Sequence, residues 1–145
     1  MSKLWEKRKI GKPPSFESPQ QMWERAIEYF EWCSENSLSA DKVFSFQGEI
    51  VHGNEKKLRA MTQAGLCCFL NISTSSWHNY KAKSDYLEVT GIIESIMYEQ
   101  KFSGASAGLF NANIIARDLG LSDKTEIVSG GEITPWSSIK AGDDE

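Results

Sequence analysis

The chain has 145 residues, of which 40% are hydrophobic and 25% are charged, a composition typical of one globular domain with a buried core. Its 16 Lys and Arg residues against 20 Asp and Glu residues give a net charge of -4, which excludes a protein that coats nucleic acid through bulk attraction. No apolar run approaches the roughly 20 residues of a membrane span, and the N-terminus lacks the apolar core of a signal peptide, so we expect a cytosolic protein without membrane contact.

Residues 1–17 are predicted to form an exposed, flexible basic arm. The Pro13-Pro14 pair breaks helix, and few apolar side chains are available for burial. Glu6 is the only acidic residue before Pro13, whereas five residues there are basic. These are Lys3, Lys7, Arg8, Lys9 and Lys12. Positive charge is therefore concentrated at the N-terminal end of the chain.

Residues 18–83 are predicted to form a helical region interrupted by a β-hairpin. The stretch SPQQ places an N-cap serine at Ser18, a proline at the first helical position and a glutamine at the capping-box position. Two short β-prone runs on either side of Gln47-Gly48 predict a hairpin over residues 43–52, whose apolar side covers a helix pair or a neighbouring molecule. The helix that begins at Ser18 is amphipathic, since apolar residues recur at helical spacing: Met22, Trp23, Ala26, Ile27, Phe30 and Cys33.

Residues 62–83 follow the pattern of a helix-turn-helix unit. Cys67 is the small residue at the helix contact, Asn71 occupies the turn, and Ser73 or Thr74 can cap the second helix. The inward residues are Leu66, Leu70, Ile72, Trp77 and Tyr80. The outward residues of the second helix are types that hydrogen-bond phosphates or base edges: Ser75, Ser76, His78, Asn79 and Lys81. Any two packed helices with a polar outer face give this pattern, so it leaves DNA binding and plain packing both open.

Residues 84–121 are predicted to form an oligomerisation hairpin of two long helices. Ser84 caps the first helix, and the second starts in the small-residue stretch SGASAG and ends at Gly120, where a C-cap glycine belongs. So short a connector makes the two helices antiparallel or sharply bent. Their apolar stripes are Val89, Ile92, Ile93, Ile96, Met97 and Phe102, then Leu109, Phe110, Ile114, Ile115 and Leu119.

The C-terminal residues are predicted to form a strand followed by a flexible tail. A strand within residues 122–130 has no partner in this chain, which favours pairing between copies from several subunits. Residues 131–145 are acidic and polar, with three apolar anchors. These are Ile133, Trp136 and Ile139.

Catalytic, cofactor and metal sites are not expected. The sequence contains no GxxxxGK[ST] phosphate loop and no convergent cluster of Asp, Glu and His for a two-metal nuclease. Cys33, Cys67 and Cys68 lack CxxC spacing and are expected to be reduced core residues. His52 and His78 have no Cys or carboxylate at matching spacing, so neither is expected to bind a metal.

Four stretches carry a resemblance to a known family. In chain order they are FESPQQMWERAIEYFEW, VFSFQGEIV, LRAMTQAGL and YEQKFSGASAGLFNANIIARDLGLSDKTEI. Together they resemble the DNA-packaging proteins, or small terminase subunits, of short-tailed, headful-type bacteriophages. The resemblance covers residues 16–128, and KFSGASAGLFNANIIARDLGL is its most specific part.

The resemblance implies a mainly α protomer that assembles into a ring and has no enzymatic activity. Several copies, with a nonamer as the expectation, would surround a channel lined by the helices of residues 84–119, and the strand near Ile127 would join a β-barrel shared between subunits. The ring would recognise the packaging-initiation site on concatemeric double-stranded viral DNA. It would also recruit the large terminase subunit, the ATPase and nuclease, in the cytoplasm of the infected host.

The tail GGEITPWSSIKAGDDE departs from the family pattern, which the resemblance gives as a tail rich in Lys and Arg. An acidic tail repels phosphate, so DNA contact is not carried over to it. We assign DNA binding to the second helix of the helix-turn-helix unit and to the arm. The residues are His78, Asn79, Lys81 and Lys83, with Lys7, Arg8, Lys9 and Lys12. Ile133, Trp136 and Ile139 are candidates for docking the large subunit, although Trp136 could instead pack on its own ring.

Two other functions compete with packaging. A helix-turn-helix transcription regulator would be a two-fold dimer on paired half-sites, whereas a small terminase subunit would be a closed ring. A small nuclease would cleave DNA in a metal-dependent manner as the isolated chain.

Overall fold

The computed structural model describes residues 3–8, 10–11 and 16–122, and it confirms a mainly helical fold with one two-stranded antiparallel sheet. A 3-10 turn at Leu4–Lys7 precedes the main elements. These are α1 (Pro19–Glu35), β1 (Leu38–Phe46), β2 (Glu49–Lys57), α2 (Gln63–Leu70), α3 (Thr74–Ala82), α4 (Ser84–Ser106) and α5 (Ala112–Asp118). Among the described residues, no helix is both long enough and apolar enough to span a bilayer.

The predicted start of α1 is confirmed. Ser18 Oγ accepts a hydrogen bond from the Gln21 backbone N–H at 3.2 Å, and Pro19 is the first helical residue. The Gln21 side chain in turn accepts from the Glu17 N–H at 2.7 Å. One backbone donor that the helix start leaves unpaired, the Gln21 N–H, is therefore satisfied by the cap, and the Gln21 side chain fixes the residue that precedes the cap.

The core lies between α1, α2, α3 and α4. Helices α1 and α2 approach closely at Gly65, where an added Cβ would lie 2.5 Å from the Tyr29 hydroxyl oxygen. That oxygen accepts from the Thr62 N–H at 3.2 Å, so a polar contact accompanies the close packing. The largest fully buried side chains are Trp77, Tyr29, Met22, Leu66, Ile72, Ile93, Thr90 and Cys33.

The β-hairpin is longer than predicted. It extends from the Leu38–Lys57 pair to the Phe46–Glu49 pair instead of covering only residues 43–52. Both turn residues, Gln47 and Gly48, have positive φ, which suits the tight turn that joins twisted antiparallel strands. Once this turn fixes the register, polar residues on both sides can pair as well, and apolar runs alone do not reveal them. Nearly all of the hairpin side chains are exposed in the single chain.

The prediction of two long antiparallel helices over residues 84–121 is wrong for the second helix. Helix α4 has 23 residues and includes most of the small-residue stretch, whereas α5 has only 7. The chain leaves α4 at Gly108, with φ 75, and Asn111 then caps α5 by accepting from two backbone N–H groups. Ser84 is also not the cap of α4, because Lys83 occupies that position without a side-chain bond.

The α4–α5 junction is held by a close approach and an ion pair. The Phe110 ring packs directly over Gly104, where any Cβ would overlap it. Lys101, almost fully buried, pairs with Asp118 at 2.5 Å and so joins α4 to α5. Gly104 therefore serves packing within the chain.

The predicted barrel strand and tail lie outside the described residues. Of residues 122–130 only Ser122 is described, and the tail with Ile133, Trp136 and Ile139 falls entirely outside.

Candidate nucleic-acid interface

Residues 62–83, predicted as a helix-turn-helix unit, contain helix α2, a short turn and helix α3. Asn71 ends α2 in the left-handed conformation, with φ 58 and ψ 41. Ser73 Oγ then accepts from the Ser76 N–H at 3.0 Å and caps α3. The predicted inward residues are buried or, for Tyr80, partly buried: Leu66, Leu70, Ile72, Trp77 and Tyr80. The short turn and the buried contact between α2 and α3 fix the angle between the two helices.

The outer face of α3 presents exposed polar side chains. Ser75, His78 and Asn79 are exposed, and their donors and acceptors can hydrogen-bond phosphates or base edges. Ser76, predicted to face outward, is instead partly buried, and its hydroxyl lies 2.9 Å from that of Ser73. The available face is therefore narrower than the sequence pattern indicates.

Lys81 is not a free cation in this structure. Its Nζ lies 2.9 Å from Oε1 of Glu94 on α4. The same carboxylate oxygen accepts a hydrogen bond from Trp77 Nε1 at 3.1 Å. Glu94 thus holds α3 against α4 through two side chains, and Lys81 takes part in that packing. Lys81 would therefore have to leave this ion pair in order to contact DNA.

Lys83 lies at the C-terminal end of α3 and is exposed. Its Nζ is 4.9 Å from the centroid of the Tyr80 ring, a cation–π distance. No carboxylate in the described part of the chain pairs with it. Of the two lysines assigned on α3, Lys83 is therefore the one available to phosphate.

The described part of the predicted arm lies against the helix-turn-helix unit. Arg8 Nη1 donates to the backbone oxygen of Ile72 in the turn at 2.6 Å, and Lys7 Nζ lies 5.6 Å from the Phe69 ring centroid on α2. Further along, the Phe16 N–H donates to the Tyr80 hydroxyl at 3.1 Å. These contacts place Lys7 and Arg8 beside α2 and the turn. Lys9 and Lys12 lie outside the described residues.

Two further cations near α2 were missed by the sequence analysis. Arg25 on α1 lies 5.6 Å from the Phe69 ring centroid, and Arg59 in the loop before α2 lies 4.8 Å from the Trp32 ring. In sequence, Arg25 looks like one more solvated charge on the polar side of an amphipathic helix. Arg59 belongs to no motif. Only the packing of α1 on α2 brings them together, so no local signal could have identified them.

The titratable groups of the core do not suggest catalysis. Burial raises the pKa of the Cys67 thiol to about 11, and it also raises the pKa of Cys33. Both thiols are therefore protonated near neutral pH and are poor nucleophiles. Among the described residues, no group of three or more His, Cys, Asp or Glu side chains could hold a metal ion.

Comparison with known proteins identifies what the chain is similar to. A family model described as DNA-packaging protein gp3 matches residues 11–127. A curated relative, the terminase small subunit of Salmonella phage P22, is 44% identical over 135 residues, which is 92% of this chain and 82% of that protein. The match includes the helix-turn-helix unit, the hairpin and the α4–α5 region.

Proposed function

The chain belongs to the DNA-packaging protein gp3 family, and from this premise we propose that it acts in viral DNA packaging as a small terminase subunit. The observation that carries the proposal is the 44% identity to a terminase small subunit over 92% of the chain. In this role it binds and assembles, and it performs no chemistry itself. The ATPase and nuclease activities belong to the large terminase subunit, in the cytoplasm of the infected bacterium.

The proposed DNA-recognition surface is the outer face of α3 with the cations beside it. His78 and Asn79 are exposed there, and Lys83 follows at the end of the helix without a carboxylate partner in the described residues. A second helix of a helix-turn-helix unit reads the major groove through such residues. This surface would recognise the packaging-initiation site on double-stranded viral DNA, with the arm residues Lys7, Arg8, Lys9 and Lys12 adding phosphate contacts.

We further propose that the chain assembles into a closed ring, with nine copies as the expected number. The support is the amount of apolar surface that one protomer leaves exposed. An isolated two-stranded hairpin is at best marginally stable, and large exposed apolar patches mark interfaces. On the hairpin the exposed residues are Leu38, Val43, Phe44, Phe46, Ile50 and Val51, and on the α4–α5 end they are Tyr98, Phe102, Leu109, Ile114 and Leu121.

A ring would also account for DNA binding by a chain of net charge -4. Each protomer offers few of the proposed DNA contacts, so one copy would bind weakly. Copies in a ring engage the same DNA together. Once one copy is bound, the others are held close to the DNA, so the affinity of the ring exceeds that of a single copy. In this proposal the strand predicted within residues 122–130 completes the assembly by pairing between subunits.

The segment proposed to dock the large subunit is the tail, through Ile133, Trp136 and Ile139. These apolar side chains stand in a polar, acidic stretch, and an aromatic anchor on such a segment is a common binding element. Deleting residues 131–145 should abolish co-purification with the large subunit while the number of subunits in the assembly stays unchanged. Full co-purification of the deleted protein would reject this part of the proposal.

The function as a whole is tested by solution mass and DNA selection. Light scattering of the purified full-length chain should give a particle many times the 16.3 kDa chain mass. Incubation with restriction fragments that tile the viral genome should enrich one fragment, the one that contains the packaging-initiation site. A two-fold dimer that selects a palindromic fragment would instead support a transcription regulator.

A further inference from the structure

Three cations lie over two adjacent aromatic rings, Trp32 on α1 and Phe69 on α2. The ring centroids are 6.1 Å apart, and both side chains are less than 10% exposed. Lys7 Nζ and the Arg25 guanidinium carbon each lie 5.6 Å from the Phe69 centroid. The Arg59 guanidinium carbon lies 4.8 Å from the Trp32 centroid. We call Lys7, Arg25 and Arg59 the ring-bound cations.

The ring-bound cations keep most of their positive charge unpaired. Only Arg25 has a carboxylate partner in the described part of the chain, namely Glu28 at 2.5 Å, and both of those side chains are about half exposed. Arg59 donates its Nε–H to the Asn36 carbonyl oxygen at 2.8 Å, which orients the guanidinium without neutralising it. A surface ion pair such as Arg25–Glu28 is weak and screened by salt. Lys7 and Arg59 therefore have no carboxylate partner in the described residues, although the whole chain is acidic.

The aromatic rings and the Asn36 bond hold these cations in place before any ligand arrives. Long basic side chains normally lose conformational entropy when they bind, at a cost of about 0.5–1.5 kcal/mol for each immobilised side chain. A side chain that is already stacked on a ring loses less. Arginine on an aromatic face also leaves guanidinium N–H donors free to bind an oxyanion at the same time.

The position of the cluster beside α2 suggests which oxyanion it binds. In helix-turn-helix complexes the second helix enters the major groove, while the first helix crosses the sugar-phosphate backbone. Phe69 belongs to α2, the first helix, and the outer face of α3 carries the exposed His78 and Asn79. In that general geometry, a phosphate backbone that follows α2 would pass near the cations packed on Phe69 and Trp32.

We propose that Lys7, Arg25 and Arg59 form a phosphate-contact site for duplex DNA that flanks the α3 reading surface. This inference rests on the proposed DNA-binding function and deepens it. The site adds sequence-independent affinity and fixes the register of the protein on the duplex. The site is repeated in every copy of the ring. It provides local positive charge for DNA binding in a chain whose net charge is -4.

The competing explanation is that these side chains only cover aromatic rings from water. Long basic side chains commonly bury their stems on apolar surface without binding anything. That role would affect stability but would not change how DNA affinity depends on salt. The salt dependence therefore separates the two roles.

The test measures binding of the full-length protein to duplex DNA over a series of salt concentrations. Each of the single variants Lys7→Gln, Arg25→Gln and Arg59→Gln should reduce the slope of log affinity against log salt by about 0.9 for every copy in contact with the duplex, and the triple variant should reduce it by about three times as much. The loss should be equal on a duplex with the packaging site and on an unrelated duplex of the same length. Arg117→Gln, an exposed arginine on α5, is the matched control and should leave the slope unchanged.

The outcomes separate this inference from the proposed function. If the wild-type protein binds neither duplex, the proposed function fails. If it binds and the variants keep the wild-type slope, the ring-bound cations only cover the rings and the inference is overturned. Because Lys7 is also one of the proposed arm contacts, the slopes of Arg25→Gln and Arg59→Gln decide whether the site contacts phosphate. Both arginines are only partly buried, so these variants should fold, and circular dichroism checks that they do.

Discussion

The helical core buries its apolar side chains, whereas the β-hairpin leaves its apolar side chains exposed. In the core, Trp77 and Leu66 are fully buried, and Gly65 allows α1 and α2 to come within contact distance. In the hairpin, Phe46 is 66% exposed and Phe44 is 47% exposed. The core therefore contains the interactions that hold the described helices together, whereas these hairpin side chains are left exposed by the described part of the chain. Stability and assembly should be separable by mutation.

The largest loss of stability is expected from Trp77→Ala. The substitution leaves a cavity at the centre of the core and removes the Nε1–H donor to Glu94, so it should lower the free energy of unfolding by about 3–5 kcal/mol. Urea denaturation followed by circular dichroism at one fixed protein concentration measures this. Trp5→Ala, at a residue that is 70% exposed, should change stability by less than about 0.5 kcal/mol. Equal losses for the two variants would contradict the described core.

A smaller loss is expected when the close approach of α1 and α2 is obstructed. Gly65→Ala places a methyl group 2.5 Å from the Tyr29 oxygen, and such overpacking costs about 1–3 kcal/mol. Gly91→Ala on α4 is the matched control, because no atom lies within 4 Å of the added Cβ. There the better helix propensity of alanine should stabilise the protein, by up to about 1 kcal/mol. Thermal melts of both variants should shift in opposite directions, and a shift in the same direction would refute the packing described at Gly65.

The contact between α3 and α4 should respond differently to two substitutions at one residue. Glu94→Ala leaves the Trp77 donor buried without a partner and should cost about 1–3 kcal/mol. Glu94→Gln keeps an acceptor oxygen and loses only the partly exposed ion pair with Lys81, which is worth about 0–1 kcal/mol. Denaturant midpoints of the two variants give the comparison. Equal losses for the two variants would mean that the ion pair, and not the indole bond, stabilises the contact.

The smallest effect on stability, and the largest on assembly, is expected in the hairpin. Phe44→Ser combined with Phe46→Ser changes two exposed side chains, so the unfolding of one chain should change by less than about 0.5 kcal/mol. The mass in solution should nevertheless fall towards that of a single chain. Ser45→Ala, between them on β1 and pointing to the other face, should leave the mass unchanged. If the double variant keeps its assembled mass, the hairpin is not an assembly surface.

Local chemistry made several features predictable from sequence. The cap at Ser18, the turn at Asn71 and the turn at Gln47-Gly48 each depend on a few adjacent residues, and each is found as predicted. The inward residues of the helix-turn-helix unit follow from helical periodicity in the same way. Caps and turns of this kind are determined by residues within about one helical turn of each other, so they can be predicted from the sequence.

The features that sequence did not reveal depend on residues far apart in the chain. The partner of Lys81 is Glu94 on another helix, and the cations of the ring-bound cluster come from three separate segments. Helix α5 was overestimated for a related reason, because Gly104 serves the packing of Phe110 inside α4 and does not start a new helix. Small residues permit close approach, but their sequence does not identify the partner that approaches.

The shared carboxylate of Glu94 has a mechanical consequence. One oxygen accepts from Trp77 Nε1 and pairs with Lys81, and both residues belong to α3 while Glu94 belongs to α4. A rotation of α3 about its axis must therefore break two bonds together or carry the 23-residue α4 with it. A displacement of α3 by a bound ligand would therefore be transmitted to α4 through Glu94, together with the packing of Tyr80 on Tyr86.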